Sequence, residues 1–413
     1  MNTLELKKDL HWVGALDPNL KVFDIVMYTE FGTTYNSYVL KCTEGTVLFE
    51  TVKVKYFDDF IEKLKNITPL EDIKYLVLNH TEPDHSGSVE KLLELIPNLK
   101  VIGSKSALNF LKQIANKDLD SIIATPNAPI NLGDKTLQFI SAPFLHWPDS
   151  IYTYVKEINT LITCDSFGSH YCFDEILSSK VVNHDDYNKA LRYYYDMIMG
   201  PFKPHVLKAI AKIEDLDFDM ICPGHGPVLD KDSRKIVEHY REWSTEVNPN
   251  TKKCVVIPYV SAYGYTELVA KQLAKGIEVN EGIEVLTYDM VDADKDEVLS
   301  KIRWADGVLF GSPTINSDAL PPIWDLLMAM SPIVHAKKLA ASFGSYGWSG
   351  EAVPNIDGRL KSLKLKIFAP GYKVNFKPSD TELEKALQYG KEFGETILGN
   401  IKTNSFSVNL PKK

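Results

Sequence analysis

A chain of 413 residues is long enough for two or more domains, each with its own core. Its 44% apolar and 24% charged residues are those of an ordinary globular protein, and a formal net charge of −9 argues against nonspecific nucleic-acid binding, which needs a basic footprint. No apolar run reaches the length of a membrane span, and the start, Met1 to Asp9, lacks the order of a signal peptide, so a cytoplasmic protein with no membrane partner is expected. The five cysteines (Cys42, Cys164, Cys172, Cys222, Cys254) are odd in number and form no Cys-x-x-Cys pair, so neither a disulfide scaffold nor a fused rubredoxin-type iron centre is expected.

In chain order, the first half reads as short strands with helices between them: strands at 21–27, 37–42, 46–50, 73–78, 136–141, 161–165 and 219–222, and helices near 56–66, 86–96, 105–116, 186–199 and 231–243. Mixed order of this kind is expected of α/β layers with helices outside the sheets. The 73–78 run leads into His80-Thr-Glu82-Pro-Asp84-His85, and a helix with Val89, Leu92, Leu93 and Ile96 at helical spacing should begin at Ser86. Single histidines at strand ends usually pack or cap. Two histidines and two carboxylates within six residues are harder to place on an ordinary surface unless a cation balances them.

Three further candidates share that layout. His146 follows the 136–141 strand, Asp165 ends the 161–165 run, and His225 sits in Pro223-Gly224-His225-Gly226-Pro227 after the 219–222 strand. Each stands where an apolar strand gives way to a loop, the place where a rigid sheet can hold side chains for chemistry. Four histidines and three carboxylates make a mixed N/O donor set without thiolate; it favours a hard ion such as iron, although zinc competes on affinity. Cys164 and Cys222, in apolar strands, are read as packing residues.

The pattern resembles the metallo-β-lactamase superfamily signature, His-x-His-x-Asp-His with a distant His, an Asp and a last His in a Gly-His-Gly context. Where hydrolases carry the second His, this chain has Glu82, and in that exchange, as along its whole length, it resembles the flavodiiron proteins. The resemblance implies an αββα sandwich in which His80, Glu82 and His146 bind one iron, Asp84, His85 and His225 the other, and Asp165 bridges them. His170 and the tyrosines Tyr193, Tyr194 and Tyr195 are candidates for the surroundings of that centre, with packing an equal alternative for His170. His11, His184, His205, His239 and His335 are read as structural or solvated.

Around 246–253 periodicity gives way to polar turn formers, so the domains are expected at 1–248 and 253–402, with a C-terminal tail at 403–413. The second half alternates cleanly: strands at 254–260, 283–288, 307–310 and 339–343, helices near 266–279, 294–302, 321–330 and 350–361, and a last helix from Ser379. That series predicts a doubly wound parallel sheet with ligands beyond the carboxyl ends of its strands. The first strand exit, Ser261-Ala262-Tyr263-Gly264-Tyr265-Thr266, offers hydroxyls, a glycine and a helix N-terminus without a lysine, which suits a flavin monophosphate; a plain helix-capping turn is its alternative. The third and fourth exits, Gly311-Ser312-Pro313-Thr314-Ile315-Asn316 and Gly344-Ser345-Tyr346-Gly347-Trp348-Ser349-Gly350, mix small residues with aromatics suited to a planar ring. The domain resembles flavodoxin, although Tyr263 stands where flavodoxins usually have Thr.

The resemblance implies an oxidoreductase with two iron ions and FMN that reduces O2 to water, NO to N2O, or both, detoxifying these gases in an anaerobe. Its electrons would come from rubredoxin or a similar small donor, or from a deazaflavin. Because the two cofactors lie on separate domains, the resemblance also implies a head-to-tail homodimer or a dimer of dimers, with Trp147 and Trp348 near the junction. Two rival readings are a zinc hydrolase with an appended flavodoxin module, and an electron-transfer protein whose first domain is only a scaffold.

Overall fold

The computed structural model describes residues 3–368 and 370–399. The chain divides into two compact units, Met1–Glu246 and Val247–Lys413. The predicted 403–413 tail lies outside the described residues.

The first unit holds a seven-stranded and a five-stranded sheet. The first runs in the order Leu4–Lys7, Leu10–Trp12, Tyr38–Leu40, Thr46–Phe49, Ile73–Val77, Lys100–Gly103, Ser121–Ile123, and the second Ile130–Asn131, Thr136–Ser141, Ile151–Val155, Thr160–Cys164, Met220–Pro223. Side chains alternate between the faces of a strand, and both faces are used here. Phe49, Val77 and Ile102 of the first sheet share one buried cluster with Leu137, Phe139, Ile162 and Cys222 of the second. Their neighbours Leu48, Leu76 and Val101 point the other way, onto Phe60 and Leu64 of the Phe57–Ile67 helix and Leu108 and Leu111 of the Lys105–Ala115 helix. Tyr152, Leu161 and Ile221 likewise meet Leu191, Ile210 and Val237 from the helices His184–Tyr194, Lys203–Ile213 and Ser233–Ser244. Four layers result, helix, sheet, sheet, helix, which is the αββα sandwich expected.

Several elements depart from the sequence reading. Residues 21–27 form no single strand: Val22–Phe23 pairs antiparallel with Met27–Tyr28, and the turn between them puts Asp24 and Ile25 at φ +48° and +65°. Reversal buries Phe23 and Met27 and leaves Val22, Ile25 and Val26 in solvent, so the alternation belonged to a hairpin. The helix expected from Ser86 begins earlier, at Pro83, whose fixed φ suits a first helical position; Asp84 and His85 therefore sit on a helical turn, Pro83–Ser86, and a second helix follows at Val89–Leu95. The 186–199 helix is capped by Asn183 and widens into a π-turn over Tyr195–Met199.

The second unit is a parallel sheet in the order Ile283–Asp289, Lys253–Tyr259, Gly307–Gly311, Leu339–Tyr346, Lys366–Ile367, with Tyr372–Asn375 also pairing to Leu339–Tyr346. Helices Tyr265–Glu278, Lys295–Trp304, Pro321–Ala329 and Ala352–Ser362 separate the strands, as predicted. The order places the second strand outside the first and the third inside it, the doubly wound arrangement with its crevice at the reversal. The last helix, Asp380–Ile397, opens on a reciprocal capping box between Ser379 and Glu382.

Candidate metal and flavin sites

The seven predicted ligands come from both sheets of the first unit and meet at one end of them. His80 and Glu82 follow the Ile73–Val77 strand, and Asp84 and His85 ride the next helical turn. From the other sheet, His146 lies beyond Thr136–Ser141, Asp165 follows Thr160–Cys164, and His225 follows Met220–Pro223. Ligand atoms of His80, Glu82, His146 and Asp165 lie within 4.8 Å of one another, and so do those of Asp84, His85 and His225.

All four imidazoles present Nε2 to the carboxylates. His146 Nε2 is 2.8 Å and His80 Nε2 3.3 Å from Glu82 Oε2, and His225 Nε2 is 3.1 Å from Asp84 Oδ2. Asp165 divides its two oxygens between the groups. Oδ2 is 3.2 Å from His146 Nε2 and 3.6 Å from His80 Nε2, whereas Oδ1 is 2.9 Å from His85 Nε2 and 3.6 Å from His225 Nε2.

Burial works against charge on the four-residue group, yet Asp165 is held well below the usual carboxylate range by His85, His146 and His80, and Glu82 is lowered by His146 and His80. Burial likewise opposes protonation of the imidazoles, but the carboxylates outweigh it, lifting His80 well above its ordinary value and His85 and His146 to about 9. So much ionised oxygen in a dry pocket calls for positive charge, which bound cations provide while displacing the imidazole protons. Asp84 strengthens the fit: it is buried, and neither of its carboxylate oxygens accepts a hydrogen bond.

The candidate ligands are oriented from behind by residues that sequence reasoning did not single out. Fully buried Asp149 accepts from Thr81 N–H at 2.8 Å and Thr81 Oγ1 at 2.7 Å, and lies 3.3 Å from His80 Nδ1. His225 Nδ1 donates to the Thr34 carbonyl at 2.6 Å, which leaves Nε2 facing the Asp84 and Asp165 carboxylates. Asp24, on the hairpin turn, stands near Glu82, and partial desolvation together with that carboxylate pushes it up to about 6. Asp149 stands only three residues after His146, the one signal that could have flagged it.

Two glycines flank His225 for separate reasons. A Cβ on Gly224 would lie 2.7 Å from His85 Cε1, and one on Gly226, at φ +77°, would lie 2.3 Å from Ser169 Oγ. The Gly-His-Gly run thus lets the chain pass close behind both a neighbouring ligand and the loop after Asp165.

His170 is buried against the site: Nδ1 is 2.8 Å from Thr33 Oγ1, and its ring lies 5.1 Å from His225 and 4.9 Å from Tyr194. Tyr193 lines a cavity of about 260 Å³ with His170, Phe31 and Ala190. Tyr195 points elsewhere, its hydroxyl 2.7 Å from Ser244 Oγ and its ring on Tyr240 and Trp243. Trp147 packs edge-on to His80 at 5.2 Å.

In the second unit the three predicted loops meet at the carboxyl ends of the strands. Thr266 Oγ1 is 2.9 Å from Ser345 Oγ, and Thr314 N–H donates to the Ser345 carbonyl at 2.9 Å. Gly264, at φ +80°, turns the chain into the Tyr265–Glu278 helix, and Ser261 Oγ accepts from Glu267 N–H. Ser312 Oγ accepts from Leu320 N–H, which shapes the loop over Pro313. Thr314, Ile315, Asn316, Gly347 and Trp348 line a cavity of about 300 Å³. Tyr263 and Trp348, 79% and 96% exposed, are free to lie on a planar ring. Ala262, Tyr346 and Gly350 lie within the same loops.

A family profile described as ODP family beta lactamase matches residues 33–226, and one described as flavodoxin matches 257–390. A flavo-diiron protein, FprA2, from Clostridium acetobutylicum is 40% identical over 96% of this chain and 100% of its own length. A nitric oxide reductase from Moorella thermoacetica is 34% identical over 94% and 97%. Among solved structures, rubredoxin oxygen:oxidoreductase from the anaerobe Desulfovibrio gigas superposes with a TM-score of 0.62 at 28% identity, covering 96% of this chain and 99% of that one. With its ligand clusters, its doubly wound second unit and full-length relatives of this similarity, the chain belongs to the flavodiiron protein family.

Proposed function

We propose that this protein is a flavodiiron oxidoreductase that takes electrons through FMN to a pair of iron ions and reduces O2 to water, NO to N2O, or both. The observation that carries the reading is the two-sided Asp165 carboxylate, with one oxygen turned to His80 and His146 and the other to His85 and His225. In this reading His80, Glu82 and His146 would hold one iron and Asp84, His85 and His225 the other, with Asp165 offering one oxygen to each group. When bound, a ferrous pair and a reduced flavin supply four electrons, enough for O2 to reach water, and the pair alone supplies the two that couple two NO molecules.

The chain's own part is positioning and exclusion. Asp149 and the Thr34 carbonyl fix two imidazoles in the tautomer that frees Nε2. Glu82 and His146, 14% and 17% exposed at the side chain, form the open side of the site, and the ligands of the other group are sealed at 4% or less. Gas is therefore received on the Glu82 side. In the second unit Ser261, Thr266 and the Tyr265–Glu278 helix N-terminus receive the flavin phosphate, while the 312–316 and 345–350 loops receive its ring.

We keep 1–248 and 253–402 as the proposed domain limits, supported by the division into compact units after Glu246. We assign a small redox protein such as rubredoxin as electron donor, supported by the name of the Desulfovibrio relative, and the cytoplasm as its location, supported by five unpaired cysteines; a head-to-tail homodimer is the unit we propose to bring the two cofactors together.

Asp165→Ala tests the reading. Purified variant should keep its flavin and lose anaerobic consumption of both gases; retained turnover would favour the scaffold alternative, and two zinc ions with hydrolytic activity in the parent would favour the hydrolase.

A further inference from the structure

One imidazole of the cluster lacks what two others have. His80 Nδ1 faces Asp149 and His225 Nδ1 donates to Thr34, but His85 Nδ1 is buried with no partner. A metal-bound histidine whose second nitrogen is unanchored can rotate or change tautomer, and anchoring by a carboxylate behind the ring is the common remedy.

A carboxylate lies at hand. Glu50, at the end of the Thr46–Phe49 strand, is fully buried, and a backbone φ of +57° holds it in the left-handed region that non-glycine residues seldom adopt. Oε1 accepts from Asn79 N–H at 2.9 Å, whereas Oε2 is buried without a partner. His85 and Asn79 are its main stabilising neighbours. The chain ties the two residues together next door, where Thr51 N–H and Oγ1 both donate to the His85 carbonyl, at 2.8 and 2.5 Å. Buried donors and acceptors are almost always paired. Here a buried donor and a buried acceptor are both left without a partner, on residues that act on each other electrostatically and whose backbones are joined through Thr51.

We propose that Glu50 is the positioning residue of His85: Oε2 accepts from Nδ1–H across one bridging water, and so holds Nε2 toward the iron shared with Asp84 and His225. This rests on the diiron reading above. Glu50 stands to His85 as Asp149 stands to His80, giving each iron one histidine braced by a buried carboxylate.

The test uses the full-length flavin-loaded chain stripped of metal and titrated anaerobically with Fe(II) against a chelator. Two irons per parent chain are required; fewer would overturn the diiron reading itself, whatever Glu50 does. Glu50→Gln keeps size, and its carbonyl will turn to Asn79 N–H, which leaves an NH2 facing His85 and favours the wrong tautomer. Loss of about 10–100-fold in affinity at one of the two sites is expected, the usual effect of removing a partner behind a ligand. In a His85→Ala background the same substitution should change affinity by less than about 2-fold, since residues acting through one another do not add. Parental affinity in Glu50→Gln, or equal losses in both backgrounds, would overturn the proposal. Should Glu50→Gln fail to fold, the 15N-histidine spectrum of the zinc-loaded parent decides: a hydrogen-bonded Nδ1–H at His85 supports the assignment, and an unprotonated Nδ1 refutes it.

Discussion

Gly224→Ala adds a single methyl group, and its effect can be worked out from the geometry. The new Cβ would stand 2.7 Å from His85 Cε1 and 3.2 Å from Cys164 Sγ, where ordinary contact begins at 3.4 Å, so the imidazole must yield by about 0.7 Å. The backbone cannot yield in its place, since Gly224 N–H donates to Cys164 O at 2.6 Å and Gly224 O accepts from Asn36 N–H at 2.8 Å. Gly224 is not among the left-handed glycines, so alanine meets no conformational penalty of its own. Metal–ligand bonds tolerate about 0.2 Å, and a misplacement near 1 Å costs on the order of 100-fold in rate, or about 2.7 kcal/mol. The assay is iron and flavin per chain together with anaerobic gas turnover. Iron should fall toward one per chain and turnover by about two orders of magnitude, with flavin at parental level. Two irons and parental turnover in a folded Gly224→Ala protein would refute the argument that His85 and the 223–227 loop are packed to contact.

Two further outcomes follow from buried polar groups. Asp149→Ala strips His80 Nδ1 and both Thr81 donors of their acceptor, and iron affinity should fall by about 10–100-fold; chelator competition reads this, and unchanged affinity would mean that His80 is held by packing alone. His335, in the second unit, is lowered from its ordinary value by burial and by Lys338 and Arg303. A depressed imidazole contributes stability that is present above its unfolded value near 6.5 and is lost as pH falls through its folded value. Thermal unfolding followed by flavin fluorescence should therefore shift to lower temperature between about pH 7 and pH 5, and His335→Asn should flatten that slope; an identical slope in parent and variant would exclude His335 as the cause.

The cluster of seven candidate ligands was legible because its signal is local. Four of the seven residues stand within one hexapeptide, and the other three each mark the end of an apolar strand. Residues that brace them were not legible, because bracing depends on contacts between distant segments. Glu50 read only as the last residue of a strand, and its left-handed backbone and the ring of His85 behind it leave no mark on the sequence. Architecture showed the same division. In the second unit a regular strand–helix series gave the parallel sheet, whereas in the first unit two- and three-residue strands such as Ala15–Asp17 and Ile130–Asn131 are too short for any period to emerge. The Lys203–Ile213 helix was hidden by Pro201 and Pro204, which look like breakers but stand where a helix starts.

Because the seven side chains belong to two sheets that touch through apolar surface, no half of the first unit carries a complete set of donors. The last donor, His225, leaves the ribosome after nearly all of that unit. Metal insertion should then come late, after the sandwich has closed, and tie its layers together. Iron starvation should accordingly leave an intact but looser fold, with amide exchange quickening first at the open rim where the two sheets share their ligands.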